Sequence, residues 1–165
     1  KINFKDIDFF FGDERHVSKK SKFSNLRLIK NNLFYQNGIK DKQIFSIDTN
    51  MRITGDIAKK YENKIKKYFK NKKIGFDLIL LGMGLDGHIA SIFSNKKSKK
   101  LVTSVYREDF KRISMSIKLI NKSKQIWLWL PTNKKSKLFQ NFKNNKNIPV
   151  NLLKNKKLKI FSILQ

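Results

Sequence analysis

The sequence predicts an α/β fold with a Rossmann-like, largely parallel sheet flanked by helices. Two observations support this prediction: strand-like and helix-like patterns alternate along the chain, and residues 76–81 form an almost continuous apolar run after Gly75. Such a run is typical of a strand that is buried on both faces of a parallel sheet. With 165 residues, of which 39% are hydrophobic, the chain has the size and composition of one domain over residues 1–165.

The first half of the chain predicts three strands and three helices. An apolar run predicts a strand at 7–11 that ends at Gly12. Ser24 precedes apolar residues at helical spacing, and this pattern stops at Gly38, so we expect a helix with Ser24 as its N-cap. Further patterns predict a strand at 44–47, a helix at 54–69, the strand at 76–81 and a helix that begins near Asp86-Gly87.

The second half predicts more strands than helices. The expected elements are strands at 101–106, 113–117, 125–130 and 158–164, and a helix at 134–142. In a parallel sheet, ligands bind at the carboxyl ends of the strands. The strand ends at Gly12 and Gly82 are therefore expected on one edge of the sheet.

The charge of the chain suggests a nucleic-acid partner at first sight, because 38 Lys and Arg residues outnumber 12 acidic ones. Only five of the basic residues are arginine, which is the better reader of phosphates and base edges. The abundance of lysine, asparagine, isoleucine and phenylalanine is what codons rich in A and T produce. We therefore expect no specific nucleic-acid partner, and only weak, salt-dependent binding.

The composition also bears on cysteine chemistry and membranes. The chain has no cysteine, which excludes a disulfide scaffold and a thiolate metal site within it. No apolar run approaches the roughly 18 residues of a membrane span. We therefore expect a cytoplasmic protein without a membrane partner.

The two histidines of the chain follow the two glycine-marked strand ends. Residues 13–16 (Asp-Glu-Arg-His) form a charged cluster directly after the first strand. Asp86 stands two residues before His88, where a carboxylate can fix the tautomer of the ring and raise its basicity. On these residues alone two interpretations stay open. Both segments form a site at the sheet edge, or they are a loop ion pair and a histidine packed at a helix start.

Several nucleotide, metal and nucleophile motifs are absent. The pattern G-x-x-x-x-G-K-[ST] does not occur. The glycines at 82, 84 and 87 have the spacing G-x-G-x-x-G, but this match carries little weight alone and His88 follows the third glycine directly, so a nicotinamide cofactor is disfavoured. Two isolated histidines offer no metal-ligand spacing. Ser91 lacks the G-x-S-x-G pattern of a nucleophile elbow.

Two blocks of sequence carry a specific resemblance. The first is 10–17, Phe-Phe-Gly-Asp-Glu-Arg-His-Val, and the second is 76–93, Phe-Asp-Leu-Ile-Leu-Leu-Gly-Met-Gly-Leu-Asp-Gly-His-Ile-Ala-Ser-Ile-Phe. In this order and spacing they closely resemble the 6-phosphogluconolactonase family, strongly over 8–93 and more loosely afterwards. The resemblance implies hydrolysis of 6-phospho-D-glucono-1,5-lactone to 6-phosphogluconate, a step of the oxidative pentose phosphate pathway, with no metal or cofactor.

The resemblance also implies roles for individual residues. His88 is implied as the general base, Asp86 as the group that orients it, and Asp13 as a second polar group near the lactone. The other implied site residues share the task of binding the phosphate or the developing oxyanion. They are Arg15, Lys137 and the amides of Gly84 and Gly87.

Two alternatives stay open beside the lactonase. Glucosamine-6-phosphate deaminase shares the Gly-x-Gly-x-Asp-Gly-His core, but it has tyrosine where Arg15 stands and glutamate where Phe93 stands. Because phenylalanine cannot act as an acid or a base, the lactonase is favoured. The other alternative is a non-catalytic remnant that binds sugar phosphates.

The family's opening strand and Gly-Gly-Ser phosphate loop have no counterpart in the sequence. We therefore expect a domain that is incomplete at its N-terminus. Fusion or functional coupling to glucose-6-phosphate dehydrogenase would explain such a start, and this enzyme is the protein partner that we expect.

Overall fold

The computed structural model describes residues 2–70, 72–96 and 98–162, and their secondary structure alternates as the sequence predicts. The strands are β1 (Phe9–Phe10), β2 (Asp13–Arg15), β3 (Ile44–Phe45), β4 (Leu78–Gly82), β5 (Val102–Tyr106), β6 (Lys111–Met115), β7 (Gln125–Leu130) and β8 (Leu158–Ser162). The α-helices are α1 (Asn25–Ile29), α2 (Thr54–Tyr68), α3 (Ile117–Ile120) and α4 (Asn133–Phe142). The last predicted strand extended to residues 163 and 164, which lie outside the described residues.

The strands form two parallel units and one antiparallel unit. β7 lies between β4 and β8 in one parallel unit, and β1 pairs in parallel with β3. The antiparallel unit has the order β2-β6-β5. The predicted α/β fold with parallel sheets flanked by helices is confirmed. The antiparallel unit was not predicted, and it arises because the short connection 107–110 lets β5 and β6 pair only as a hairpin.

The predicted start and end of the first helical region are confirmed. Ser24 caps α1, because its Oγ accepts a hydrogen bond from the amide of Arg27 at 3.3 Å. After α1 the chain continues through a π-helical turn and a 3-10 turn, and it stops at Gly38, whose φ of 61° is left-handed. The sequence therefore marked both ends of this region correctly.

The prediction that the strand at 76–81 is buried on both faces is wrong. Ile79 and Leu81 are buried in the core, whereas Leu78 is 39% and Leu80 is 70% exposed. Trp129 of the neighbouring strand β7 is 57% exposed as well. In the part of the chain that the structure describes, only one face of β4 is covered, so its apolar run alternates between core and surface.

The hydroxyl group of Tyr61 links helix α2 to strand β3 and to Phe11, the residue that follows strand β1. Tyr61 is 2% exposed, and its Oη accepts a hydrogen bond from the amide of Phe11 at 2.9 Å. The same oxygen lies 3.0 Å from the carbonyl of Phe11 and 3.2 Å from that of Phe45. Burial raises the pKa of Tyr61, so the phenol stays protonated and can donate. This contact holds the end of β1, from which the chain enters β2.

We predict that Tyr61→Phe destabilises the fold by about 1–3 kcal/mol, because it leaves buried amide and carbonyl groups without a partner. Urea unfolding at neutral pH measures the change. Tyr35→Phe makes the same chemical change at a side chain that is 69% exposed, and we expect it to shift stability by less than about 0.5 kcal/mol. Equal unfolding midpoints for the two variants would contradict the role assigned to Tyr61.

Candidate active site

A cavity of about 1110 Å³ opens between strand β2, the loop after β4, the β5–β6 hairpin and the start of α4. Four of the sequence-predicted site residues line it: Asp13, Arg15, Gly84 and His88. The structure thus brings together the two segments that the sequence singled out, although they are far apart along the chain. The remaining predicted residues take other positions, which are described below.

Successive side chains of strand β2 point to opposite sides, so the outer two face the cavity and the middle one is buried. Asp13 and Arg15 point to the cavity, and Glu14 points to the other side and is 2% exposed. The carboxylate of Glu14 accepts hydrogen bonds from the amides of Asn25 and Leu26, both at 2.8 Å. A carboxylate at a helix N-terminus is stabilised by these free amides. Glu14 therefore anchors β2 to α1, and it takes no part in the cavity.

Arg15 is held from one side of its guanidinium group. Its Nη1 donates to the carbonyl of Phe23 at 2.9 Å and to Oδ1 of Asn25 at 3.3 Å, and the group lies over the ring of Phe110. Its Nε is buried and has no hydrogen-bond partner among the described residues. The side chain is therefore oriented in advance while part of its donor capacity stays unused.

The loop at 83–93 is not a helix, which corrects the helix predicted near Asp86-Gly87. Gly87 has a φ of 80° and Ala90 a φ of 47°, and such left-handed residues interrupt a right-handed helix. The amide of Gly84 donates to the carbonyl of His88 at 2.8 Å, and that of Gly87 donates to the carbonyl of Gly84 at 3.1 Å. The loop is thus a tight turn that is closed by its own backbone.

These hydrogen bonds also correct the roles expected for Gly84 and Gly87. Both amides are already engaged within the loop, so they shape it and are not free to bind a ligand. A Cβ at Gly84 would collide with the ring of His88, and a Cβ at Gly87 would collide with Ile148. The two glycines are required because neighbouring groups occupy the space of a side chain.

His88 and Asp86 form a hydrogen-bonded pair at the edge of the cavity. Nδ1 of His88 lies 2.5 Å from Oδ1 of Asp86, which also accepts the amide of His88 at 3.2 Å. Partial desolvation raises the pKa of Asp86, but the hydrogen bonds from His88 outweigh it, and the pKa lies below its ordinary value. Asp86 therefore stays ionised and keeps the proton of the neutral ring on Nδ1.

This pairing leaves Nε2 of His88 as the basic nitrogen. No described residue makes a hydrogen bond to Nε2, and the ring lines the cavity. The ring also lies against Phe93, with 4.4 Å between the two centroids. The alternative of a purely structural histidine is disfavoured, because its second nitrogen has no structural partner. His16, by contrast, uses both nitrogens on Thr54 and Met51.

Burial disfavours the charge of Asp13, and the polar and cationic groups around it favour that charge. Its Oδ2 accepts a hydrogen bond from Oγ of Ser91 at 2.6 Å. Burial raises the pKa of Asp13 above its ordinary value, and Ser91, Arg15, His88 and Arg112 oppose this rise. The carboxylate thus lies where a positive charge on the His88 ring would be stabilised.

The β5–β6 hairpin contributes two arginines that the sequence did not single out as site residues. Arg112 is paired with Asp109, which accepts from Nη1 at 2.8 Å and from Nη2 at 2.5 Å. Arg107 lies over the ring of Phe93, with its Cζ 4.7 Å from the centroid, and no described carboxylate pairs with it. Arg107 lines the cavity and is therefore free to bind an anion.

Helix α4 contributes Lys135 to the cavity, and Lys137 is exposed elsewhere. This corrects the expectation that Lys137 binds the phosphate. Each residue of an α-helix advances by about 100°, so positions two apart point to nearly opposite faces. Lysines stand at 134, 135 and 137, interrupted by Ser136, and the sequence alone did not show which of them faces the cavity.

The described residues contain neither a cluster of potential metal ligands nor a membrane-spanning helix. No group of three or more His, Asp or Glu side chains in that part of the chain is arranged to hold a metal ion. None of its helices is long and apolar enough to cross a membrane.

Comparison with known proteins agrees with the two sequence blocks. The model of the family Glucosamine-6-phosphate isomerases/6-phosphogluconolactonase matches residues 1–161. Probable 6-phosphogluconolactonase 2 of Oryza sativa subsp. indica is 34% identical over 133 residues, which is 71% of this chain and 47% of the rice protein. The 6-phosphogluconolactonase of Thermotoga maritima is 38% identical over 100 residues, 61% of this chain and 43% of that protein.

Solved structures give the same result for the fold. The crystal structure of 6-phosphogluconolactonase from Thermotoga maritima matches with a TM-score of 0.86 and 28% identity, over 97% of this chain and 73% of that one. The structure of 6-phosphogluconolactonase from Plasmodium vivax matches with a TM-score of 0.82 and 25% identity, over 98% of this chain and 69% of that one. The chain spans about half the length of the rice and Thermotoga proteins that it matches in sequence. It belongs to the glucosamine-6-phosphate isomerase/6-phosphogluconolactonase family.

Proposed function

We propose that this chain provides the catalytic site of a 6-phosphogluconolactonase, which hydrolyses 6-phospho-D-glucono-1,5-lactone to 6-phosphogluconate. One observation carries the proposal: the basic Nε2 of His88, oriented by Asp86, opens into a cavity that also holds uncommitted cationic groups. A base beside an anion site matches a substrate that has a reactive carbonyl at one end and a phosphate at the other. The relatives named 6-phosphogluconolactonase support the same substrate.

The proposed reaction begins with a water molecule between Nε2 of His88 and the carbonyl carbon of the lactone. His88 takes a proton from the water molecule while the oxygen of that water forms a bond to the carbonyl carbon. Arg15, whose partners hold it in place, stabilises the oxyanion that develops. The bond from this carbon to the ring oxygen then breaks, and the proton returns from His88 to the ring oxygen.

Two other cationic groups of the cavity are proposed to bind the phosphate. Arg107 lies on the hairpin and Lys135 on α4, and both line the cavity. Arg107 offers a planar fork of donors, and Lys135 offers a point charge. Arg112, which Asp109 neutralises, supports the platform formed by Phe93 and does not compete for the phosphate.

The position of Phe93 favours the lactonase over a deaminase. Its ring lies between His88 and the two arginines of the hairpin, so it forms a stacking surface. The deaminase relatives are expected to carry a glutamate here, and deamination needs such an acid–base group. The proposal therefore excludes release of ammonia from glucosamine 6-phosphate.

We also propose that the protein is coupled to glucose-6-phosphate dehydrogenase in the cytoplasm. The bifunctional glucose-6-phosphate 1-dehydrogenase/6-phosphogluconolactonase of Plasmodium falciparum is 43% identical over 97 residues, which is 58% of this chain and 10% of that protein. Co-purification of dehydrogenase activity with the native protein tests this proposal. A lactonase that is recovered without dehydrogenase activity would contradict it.

We predict that His88→Asn lowers lactone turnover about 10²–10⁴-fold, because asparagine cannot accept the proton of water. The measurement is acid release in a pH-stat after subtraction of the spontaneous rate. His16→Asn is the matched control, because His16 lies outside the cavity, and it should leave turnover per folded molecule unchanged. Full activity of His88→Asn, or ammonia release from glucosamine 6-phosphate, would contradict the proposed function.

We predict that Lys135→Ala raises KM by about tenfold or more with little change in kcat, because it removes a charge-assisted hydrogen bond to the phosphate. Lys137→Ala is the control on the same helix, and its KM should equal that of the unmodified protein. With glucono-1,5-lactone, which has no phosphate, the two variants should behave alike. A larger KM effect for Lys137→Ala would mean that α4 binds the phosphate through its other face.

A further inference from the structure

The loop that carries His88 contains a strained residue that no part of the proposed reaction uses. Ala90, with a φ of 47°, is the one non-glycine residue with a positive φ in the described ranges. The left-handed conformation is unfavourable for alanine, so the surrounding structure must impose it. Ile89, which is fully buried and forms bridges with Met83 and Ile92, fixes the loop on both sides of this turn.

The strained turn directs the next residue, Ser91, toward Asp13. Ser91 is 1% exposed, and its Oγ donates to Oδ2 of Asp13 at 2.6 Å. Its amide donates to Oγ of Ser114 at 3.2 Å, and that hydroxyl donates to the carbonyl of Met115 at 2.9 Å. Ser114 is the register partner of Asp13 on β6. A buried chain of hydrogen bonds therefore connects the loop to the strand beside Asp13.

We propose that Ser91 is a positioning residue for the lactonase reaction, whose hydroxyl holds the carboxylate of Asp13 in the orientation that faces His88 and Arg15. This inference rests on the proposed function, in which His88 becomes positively charged when it takes a proton from water. An ionised Asp13 in this position stabilises that charge, and a protonated Asp13 does not. Ser91 thereby acts, together with the protonation of His88 itself, on the pH below which the reaction slows.

The groups around Asp13 determine whether loss of the hydrogen bond from Ser91 raises or lowers the pKa of Asp13. Arg15 from its own strand, Arg112 from β6 and His88 from the loop are the charged or titratable groups around it, and the side-chain Nδ2 of Asn25 from α1 donates to Oδ1 at 3.5 Å. Burial raises the pKa of Asp13, and the hydrogen bond from Ser91 is the strongest of the effects that lower it. Loss of this hydrogen bond therefore raises the pKa of Asp13, and more of it is protonated at a given acidic pH.

The test compares Ser91→Ala with Ser94→Ala, the same change at an exposed serine of the same loop. Ser91→Ala should shift the acid limb of the kcat profile to higher pH and lower kcat on that limb about tenfold. KM should change little, because Ser91 does not bind the phosphate. Ser94→Ala should leave both the profile and KM unchanged. An unshifted acid limb for a folded Ser91→Ala would overturn the proposal.

Two further variants separate positioning from general damage to the fold. Ser91→Cys keeps the size of the side chain but donates weakly, so its acid limb should lie between those of Ser91→Ala and the unmodified protein. In an Asp13→Asn background, Ser91→Ala should produce no further shift of the acid limb. A full additional shift in that background would show that Ser91 acts on another group.

A direct titration of Asp13 keeps this inference distinct from the proposed function. The carboxyl carbon of Asp13, followed by NMR without substrate, should titrate at a higher pH in Ser91→Ala than in the unmodified protein. If the titration shifts but the protein does not hydrolyse the lactone, the hydrogen bond is real and the proposed function is wrong. If the protein hydrolyses the lactone but the titration is unchanged, the positioning role is wrong.

Discussion

The buried carboxylate of Glu14 is the constraint on which the site depends. A carboxylate that is 2% exposed must be fully hydrogen-bonded, and Glu14 meets this need with the amides at the start of α1 and with Oγ of Ser24. The strand β2 has three residues, so fixing its middle residue also fixes the two outer ones. Asp13 and Arg15 face the cavity because Glu14 faces the helix. The Asp-Glu-Arg motif is thus one structural residue between two residues that line the cavity.

The second constraint is the excess of positive charge around the cavity. Arg15 and Arg112 are register partners on β2 and β6, an arrangement that is unfavourable for like charges directly opposite each other. Asp109 neutralises Arg112, and Asp13 lies near both arginines, but no described carboxylate pairs with Arg107. A bound phosphate would neutralise the charge of Arg107. The cavity therefore favours an anionic ligand even before any reaction is considered.

Local patterns in the sequence were enough for most of the fold and for the two segments that meet at the cavity. The cap at Ser24, the stop at Gly38 and the Asp86–His88 pair depend on neighbours within a few residues, so spacing revealed them. The contact between Ser91 and Asp13 joins segments that meet only in the folded chain. The choice of Lys135 over Lys137 depends on the rotation of α4, and the absence of a helix at 86–87 depends on the left-handed backbone at Gly87. No local pattern determines these features.

A crystal structure with 6-phosphogluconate, the proposed product, tests the central claim most directly. The account predicts that the carboxylate made from the lactone carbonyl lies within hydrogen-bond distance of Nε2 of His88. It also predicts that the phosphate contacts Arg107 and Lys135. A phosphate bound beside His88, or a ligand outside the cavity lined by β2 and the loop at 83–93, would contradict it.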